Sequence, residues 1–248
     1  MFGIITLLFF IVALIYSAVG FGGGSSYIAV LALFDYPYES IPVIGLICNL
    51  IVVSGGIFHF YKNGHFKWSL FWPFAVSSIP MAFIGGRIPV SKELFLLLLG
   101  VCLFIVALRL LFINRIIKDS SKYEKPKLSL AIILGAILGL IAGMVGIGGG
   151  IFLAPALLYL KWGLPKQIAA TAALFILLNS LSGLAGQLVK GTSMIDLESH
   201  WPLFLSVLIG GQIGSRIGSG SVLSQRMIKD LTALLVLFVS LRIFYMFI

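Results

Sequence analysis

The apolar positions of this chain fall in long stretches that short polar loops separate. Two stretches, residues 2–34 and 128–160, each hold 33 residues without a charge, and glycines interrupt both at the same depth, at 20–26 and at 143–150. An unbroken helix of that length would reach about 50 Å, whereas the hydrocarbon core of a bilayer is about 30 Å thick. Each stretch is therefore predicted to break, tilt or turn back at its glycines.

The rest of the chain repeats the same order of segments. Further apolar spans follow each broken stretch, at 41–60, 68–86 and 94–112 and then at 167–189, 201–215 and 231–248. The dipeptide Trp72-Pro73 recurs as Trp201-Pro202. We therefore expect an all-α integral membrane protein of two four-segment repeats, 1–113 and 128–248, joined by a basic loop at 114–127. Each repeat opens with a glycine-broken helix that either crosses the membrane or re-enters.

The distribution of basic residues favours re-entry. If each broken stretch crosses once, the repeats are parallel and the loops carry eight basic residues on one side and seven on the other. If each folds back as a hairpin, the repeats are inverted and the count becomes 12 to 3, as the positive-inside rule requires. The twelve are Lys62, Lys67, Arg115, Lys118, Lys122, Lys125, Lys127, Lys161, Lys166, Arg216, Arg226 and Lys229.

Composition supports a membrane protein and excludes several functions. Hydrophobic residues make up 60% of the chain and charged residues 10%, unlike a soluble domain. The 17 basic residues against 8 acidic ones lie in short loops, which indicates topological bias rather than nucleic-acid binding. The two cysteines and three histidines show no metal-binding spacing, and no glycine-rich stretch ends in the Gly-Lys-Ser/Thr of a nucleotide site. We expect no metal, no cofactor and no enzymatic activity.

All eight carboxylates are predicted in loops or at the ends of spans, which argues against a cation transporter. Neutral polar residues and glycines remain inside the membrane, and these can hold a small anion through hydroxyls, amides and the N-H groups at half-helix N-termini. The alternative is that the Ser and Gly residues only allow close helix packing. The candidate substrate-binding residues are Gly22, Gly23, Gly24, Ser25, Asn49, Gly148, Gly149, Gly150, Thr171, Asn179 and Gln187, with Asn49 and Asn179 near equivalent positions. Arg87 and Arg216 are expected near opposite faces, where each either attracts the anion or anchors its helix.

The stretch Gly-Met-Val-Gly-Ile-Gly-Gly-Gly-Ile-Phe-Leu-Ala-Pro at 143–155, the Ala-Ala-Thr-Ala of the next span and the pair Gly-Gly-Arg-Ile and Gly-Ser-Arg-Ile at 85–88 and 214–217 resemble the TauE/SafE family of membrane permeases. The similarity covers nearly the whole chain, although the first break lacks a counterpart of Pro155. The resemblance implies export of sulfite or an organosulfur anion such as sulfoacetate.

Together these observations predict a multi-pass secondary transporter of the cell (inner) membrane that moves a small sulfur-containing anion by alternating access of two inverted halves. Uptake of thiosulfate or another small anion is one alternative, and a membrane scaffold without transport activity is another. The expected partners are the anionic substrate and the lipid bilayer, not nucleic acid, and a homodimer is left open.

Overall fold

The structure, a computed structural model, describes residues 2–19, 22–62, 64–112, 124, 126–191, 197–218 and 225–245. Most of the 114–127 loop and the side chain of Arg216 lie outside the described residues. The described chain forms ten α-helices: α1 Phe2–Val19, α2 Gly24–Leu33, α3 Ser40–Lys62, α4 Trp68–Arg87, α5 Lys92–Phe112, α6 Leu128–Val145, α7 Gly150–Tyr159, α8 Pro165–Val189, α9 Leu197–Gly218 and α10 Gln225–Tyr245.

The prediction of an all-helical membrane protein is confirmed. Within the described residues four helical stretches are long and apolar enough to cross a bilayer: Ser40–Ile57, Trp68–Arg87, Leu128–Val145 and Lys166–Val189. Shorter apolar helices, among them Gly24–Leu33 and Gly150–Tyr159, follow the two glycine breaks. The breaks thus divide each long apolar stretch into a long helix and a half-length one.

Helices α1 and α2 form an antiparallel hairpin. The hydroxyls of Tyr16 and Ser26 lie 2.8 Å apart next to the break, and the rings of Phe9 and Tyr27 pack with their centroids 4.9 Å apart. At the other end of the hairpin, the ring of His200 contacts both Phe2, at the start of α1, and Tyr36, just after α2. The first broken segment therefore begins and finishes at the same end of the helix bundle.

The second broken segment, α6 with α7, also starts and finishes at one end. The backbone N-H of Glu124, just before α6, donates to the carbonyl of Lys161, just after α7, at 2.9 Å. The break between the two helices lies in the interior, where Gly146, Gly148 and Gly149 are all buried.

Close backbone contacts join the two halves of the chain. Helix α6 runs parallel to α4, with Gly139 against Ser78 and Gly143 against Ala82. Helix α1 runs parallel to α9 in the same manner, with its carbonyls at 10 and 14 against Gly210 and Gly214. A β-carbon at these glycines would collide with backbone, so their small size permits the approach.

These contacts fix the two ends of the bundle. Lys62, Lys67, Lys127, Lys161 and Lys166 lie at one end, which we call the basic end, because α3 and α7 finish there and α4, α6 and α8 begin there. Helices α2, α4 and α8 finish at the opposite end. There Arg242 pairs with Asp35 at 3.3 Å and donates to the carbonyl of Leu33, which ties α10 to the end of α2.

Candidate substrate-binding site

Both glycine breaks depend on backbone conformations that L side chains rarely adopt. Gly23, the N-cap residue of α2, has φ 77°, and Gly149, the N-cap residue of α7, has φ 73°. The second break holds two further left-handed glycines, Gly146 with φ 87° and Gly148 with φ 79°. Because a β-carbon is strained in this region, glycine is the residue that lets the chain stop one helix and start another within a few positions.

The side chain of Asn49, in the first half of α3, lies between the two breaks. Its Nδ2 donates to the carbonyl of Gly146 at 3.4 Å, and a β-carbon on Gly148 would lie 2.9 Å from the same nitrogen. On the other side, a β-carbon on Gly22 would lie 3.0 Å from Oδ1, and one on Gly24 would lie 2.6 Å from both amide atoms. One buried amide therefore contacts the glycines of both halves.

A small interior cavity borders this amide. Its polar wall comes from the first half of the chain: Tyr16, the three glycines at 22–24, Ser25 and Asn49. Its apolar wall comes from the second half: Ile147, Ile151 and Ile176. None of these lining residues carries a formal charge.

Several polar atoms around the breaks are buried without a hydrogen-bond partner among the described residues. Ser25 Oγ and Asn49 Oδ1 border the cavity, and Ser25 is only 1% exposed. The hydroxyl of Tyr27 lies 3.2 Å from where a β-carbon on Gly23 would be, and Ser180 Oγ lies 3.1 Å from the equivalent position on Gly148. Because most buried polar groups in folded proteins are paired, this concentration marks a candidate site for a polar ligand.

The two half-length helices add a favourable field for an anion. Helices α2 and α7 both begin at the breaks, α2 running to the opposite end and α7 to the basic end. Their N-termini therefore converge on the interior from two directions, and the first-turn N-H groups of a helix carry partial positive charge. Hydroxyl and amide donors next to two helix N-termini can stabilise a negative charge without a basic side chain.

Thr171 and Asn179 are buried on α8 but lie away from the cavity lining. Asn179 Nδ2 donates to the carbonyl of Phe175 in its own helix at 2.8 Å. Several residues of α8 pack on the second break, and among them Ile176 meets Gly148 and Gly150 as Asn49 meets Gly22 and Gly24. The packing thus pairs Asn49 with Ile176 and not with Asn179.

Gln187 and Arg87 lie toward the opposite end. Gln187 Nε2 donates to the carbonyl of Gly143 at 3.1 Å, and its Oε1 accepts from Lys190 Nζ at 3.5 Å. Partial burial lowers the pKa of Lys190 from its ordinary value, and the nearby Glu39 carboxylate offsets part of this decrease. Arg87, the last residue of α4, is exposed. Gln187 therefore joins α8 to α6, and Arg87 stands outside the cavity.

Tyr16, Ser180 and Ile176 were not among the predicted binding residues. Tyr16 lies on α1 about one turn before the glycine stretch at 20–26, and its hydroxyl lies 2.8 Å from that of Ser26 across the hairpin. Ile176 has no chemical signature. An alignment of residues 41–56 with residues 168–183, in which Gly56 coincides with Gly183, places Ile176 at the position equivalent to Asn49.

Comparison with known proteins places these features in one family. The family model described as "Sulfite exporter TauE/SafE" matches residues 5–243. No solved structure matches the chain.

Curated relatives cover most of the chain as well. A "Probable membrane transporter protein y4hK" of Sinorhizobium fredii is 34% identical over 215 residues, 85% of each chain. A "Probable membrane transporter protein MJ0441" of Methanocaldococcus jannaschii is 27% identical over 197 residues, 74% of this chain and 71% of its own. A "Probable membrane transporter protein YdhB" of Bacillus subtilis is 24% identical over 222 residues, 87% of this chain and 88% of its own.

Proposed function

Since the chain belongs to the sulfite exporter TauE/SafE family, we propose that it is a secondary transporter that exports a small sulfur-containing anion across the cell membrane. It is a membrane transporter rather than an enzyme. The family description suggests the sulfur and the direction, and the residues account for the negative charge.

The observation that carries the proposal is the meeting of both glycine breaks at Asn49. Glycine-broken helices in corresponding halves of a transporter commonly form its substrate site. Here the amide contacts Gly24 and Gly148, and the Ser25 hydroxyl, which has no partner among the described residues, borders the same cavity. The glycines proposed to bind substrate are Gly22, Gly23, Gly24, Gly148, Gly149 and Gly150.

The neutral lining suits a small anion that leaves again after crossing. A basic side chain inside the membrane would hold the anion tightly and would be costly to bury when the site is empty. Hydroxyl, amide and helix-terminus donors give a weaker field that permits release. The exposed Arg87, and Arg216 on α9, would then attract the anion toward the two mouths and not hold it.

Alternating access of two inverted halves fits the packing. In each half the broken segment returns to the end from which it starts, but the two segments start from opposite ends. The first helix of each half packs along the fourth helix of the other, α1 with α9 and α6 with α4. This reciprocal packing supports a pseudo-two-fold axis in the membrane plane. Such symmetry allows each half to adopt the conformation of the other.

Purified protein in proteoliposomes tests the proposal. Sulfite, thiosulfate, sulfoacetate, taurine and sulfate are each screened by thermal shift and by counterflow. We expect at least one of the sulfur anions to raise the melting temperature and to exchange across the membrane. Stabilisation and exchange by none of the five would reject the sulfur-anion function, and net uptake into cells would reverse the direction.

A further inference from the structure

A second and larger cleft lies between the interior cavity and the basic end. It is lined by α1, α3, α8 and α9, with Ser17, Gly55, Gly56, Gly211 and Gln212 among its residues. Because α3 runs from the opposite end to the basic end, Gly55 and Gly56 lie nearly two turns beyond Asn49 toward Lys62. The cleft therefore approaches the site from the basic end.

A thin apolar barrier separates the cleft from the cavity. Val53 lines the cleft, and its Cγ1 lies 3.0 Å from the position of a β-carbon on Gly22. Ile176 lines the cavity, and its Cγ2 lies 3.5 Å from the same position. Ala173, one turn before Ile176 on α8, lines the cleft. Two apolar side chains at Gly22 thus stand between the two spaces.

The corresponding region at the opposite end is closed. Asn49 and Ile176 take matching places against the two breaks, so the matching position to Gly56 on α3 is Gly183 on α8. A β-carbon on Gly183 would lie 3.1 Å from Gly143 Cα, and one on Gly86 of α4 would collide with the carbonyl of Gly183. A β-carbon on Gly56, by contrast, would meet none of the described residues within 4 Å beyond its own helix backbone.

The difference extends to the helices that carry these glycines. Helix α4 packs on α8 with the Ser182 hydroxyl donating to the carbonyl of Ile79 at 2.6 Å, and with Gly186 against Phe83. The matching pair, α9 and α3, is less closely packed: a β-carbon on Gly211 would lie 3.9 Å from the backbone of Val52, and one on Gly55 would meet the Gln212 side chain, with Nε2 at 3.3 Å. One helix pair is in backbone contact at its glycines, whereas side chains and the cleft space its counterpart.

We propose that the cleft is the vestibule through which substrate reaches the site from the basic end, that Val53 with Ile176 is its barrier, and that α9 closes onto Gly55 and Gly56 of α3 when the opposite end opens. This deepens the proposed function and rests on it. The packing of α4 on α8 shows the form that the closed pair takes, with glycine surfaces in backbone contact.

The first test inserts a side chain into the open cleft. We expect Gly56→Leu to fit the present conformation, because a β-carbon there meets none of the described residues within 4 Å beyond its own helix backbone, but to block the closure. We expect the variant to keep its thermal shift with sulfite and to lose sulfite counterflow. Gly3→Leu is the matched control, since a β-carbon on Gly3 also meets none of the described residues within 4 Å, and it should transport like wild type. Wild-type counterflow in Gly56→Leu would overturn the proposal.

The second test needs no substrate and so separates this proposal from the sulfur-anion function. Gly56→Cys in a chain with Cys48 and Cys102 replaced by alanine is treated with a membrane-impermeant maleimide. We expect labelling from the side of the basic end only. Labelling from the other side, from both sides or from neither would refute the vestibule even if sulfite is transported. One-sided labelling without binding of any sulfur anion would instead reject the substrate and leave the vestibule standing.

Discussion

Asn49 is the side chain through which the two halves of the chain meet at the site. Its hydrogen bond to the carbonyl of Gly146 is long, at 3.4 Å, so it contributes little and exchanging it for a bond to an anion costs little. Its Oδ1 is buried without a partner among the described residues. Asn49 and Ser25 line the same cavity, so the Nδ2 group and the Ser25 hydroxyl are the donors available there for an anion.

This geometry predicts an unequal effect of two asparagine substitutions. Asn49→Ala should weaken binding of the anion by roughly 1 to 3 kcal/mol, because a charge-assisted hydrogen bond is lost in a desolvated site. Asn179→Ala should change affinity much less, since Asn179 lies outside the cavity lining and its Nδ2 donates within its own helix. Titration of both variants with the anion that stabilises the wild type measures the difference. Loss of affinity in Asn179→Ala alone would move the site to the other face of α8.

At the scale of the helix, the sequence predicts where elements lie better than which face they present. The expected spans 41–60, 68–86 and 94–112 correspond to Ser40–Lys62, Trp68–Arg87 and Lys92–Phe112. These limits follow from hydropathy and from charged or proline-rich loops, which are local properties. The face that a helix presents to its neighbours is not a local property. Asn179 lies three residues after Ile176 on α8, and this shift turns its side chain about 60° around the helix. The contact of the Tyr16 hydroxyl with Ser26 likewise depends on the fold of the hairpin.

The start of α2 offers a test of the glycine break as a binding element. In Gly24→Ala the new methyl group would lie 2.6 Å from both amide atoms of Asn49 and 2.9 Å from the carbonyl oxygen of Ile147, although the backbone there needs no left-handed conformation. Substrate affinity should therefore fall, and the melting temperature of the free protein should fall as well because the Ile147 backbone has to shift.

Gly23→Ala, one residue earlier, is the substitution to compare with Gly24→Ala. It forces a β-carbon into φ 77°, at a cost of about 1 to 2 kcal/mol, so the protein itself should be destabilised. Unchanged affinity in Gly24→Ala would show that the break serves helix packing and not binding.

At the scale of the whole molecule, charge and hydrogen bonding point to the same arrangement. The hairpin reading of the sequence gathers twelve basic residues on one side and leaves three on the other. Independently, His200 contacts both termini of the first broken segment, and Glu124 bonds to Lys161 across the termini of the second. A count of the basic residues predicts this arrangement because Lys and Arg in short loops determine membrane topology. The state of the molecule, open at α3 and α9 and closed at α4 and α8, is not encoded in any such pattern, since both states share one sequence.

Single cysteines in the two loops that follow the broken segments test the arrangement directly. In a chain without Cys48 and Cys102, Glu39→Cys should react with a membrane-impermeant maleimide from the side opposite to that of Lys166→Cys, because the first hairpin returns to one end of the bundle and the second to the other. Both native side chains are exposed. Lys67→Cys is the control, since a crossing helix separates it from Glu39, and it should label from the same side as Lys166→Cys. By the positive-inside rule that side is the cytoplasm. Labelling of Glu39→Cys and Lys166→Cys from one common side, opposite to Lys67→Cys, would mean that each broken segment crosses the membrane once, and the two halves would then be parallel rather than inverted.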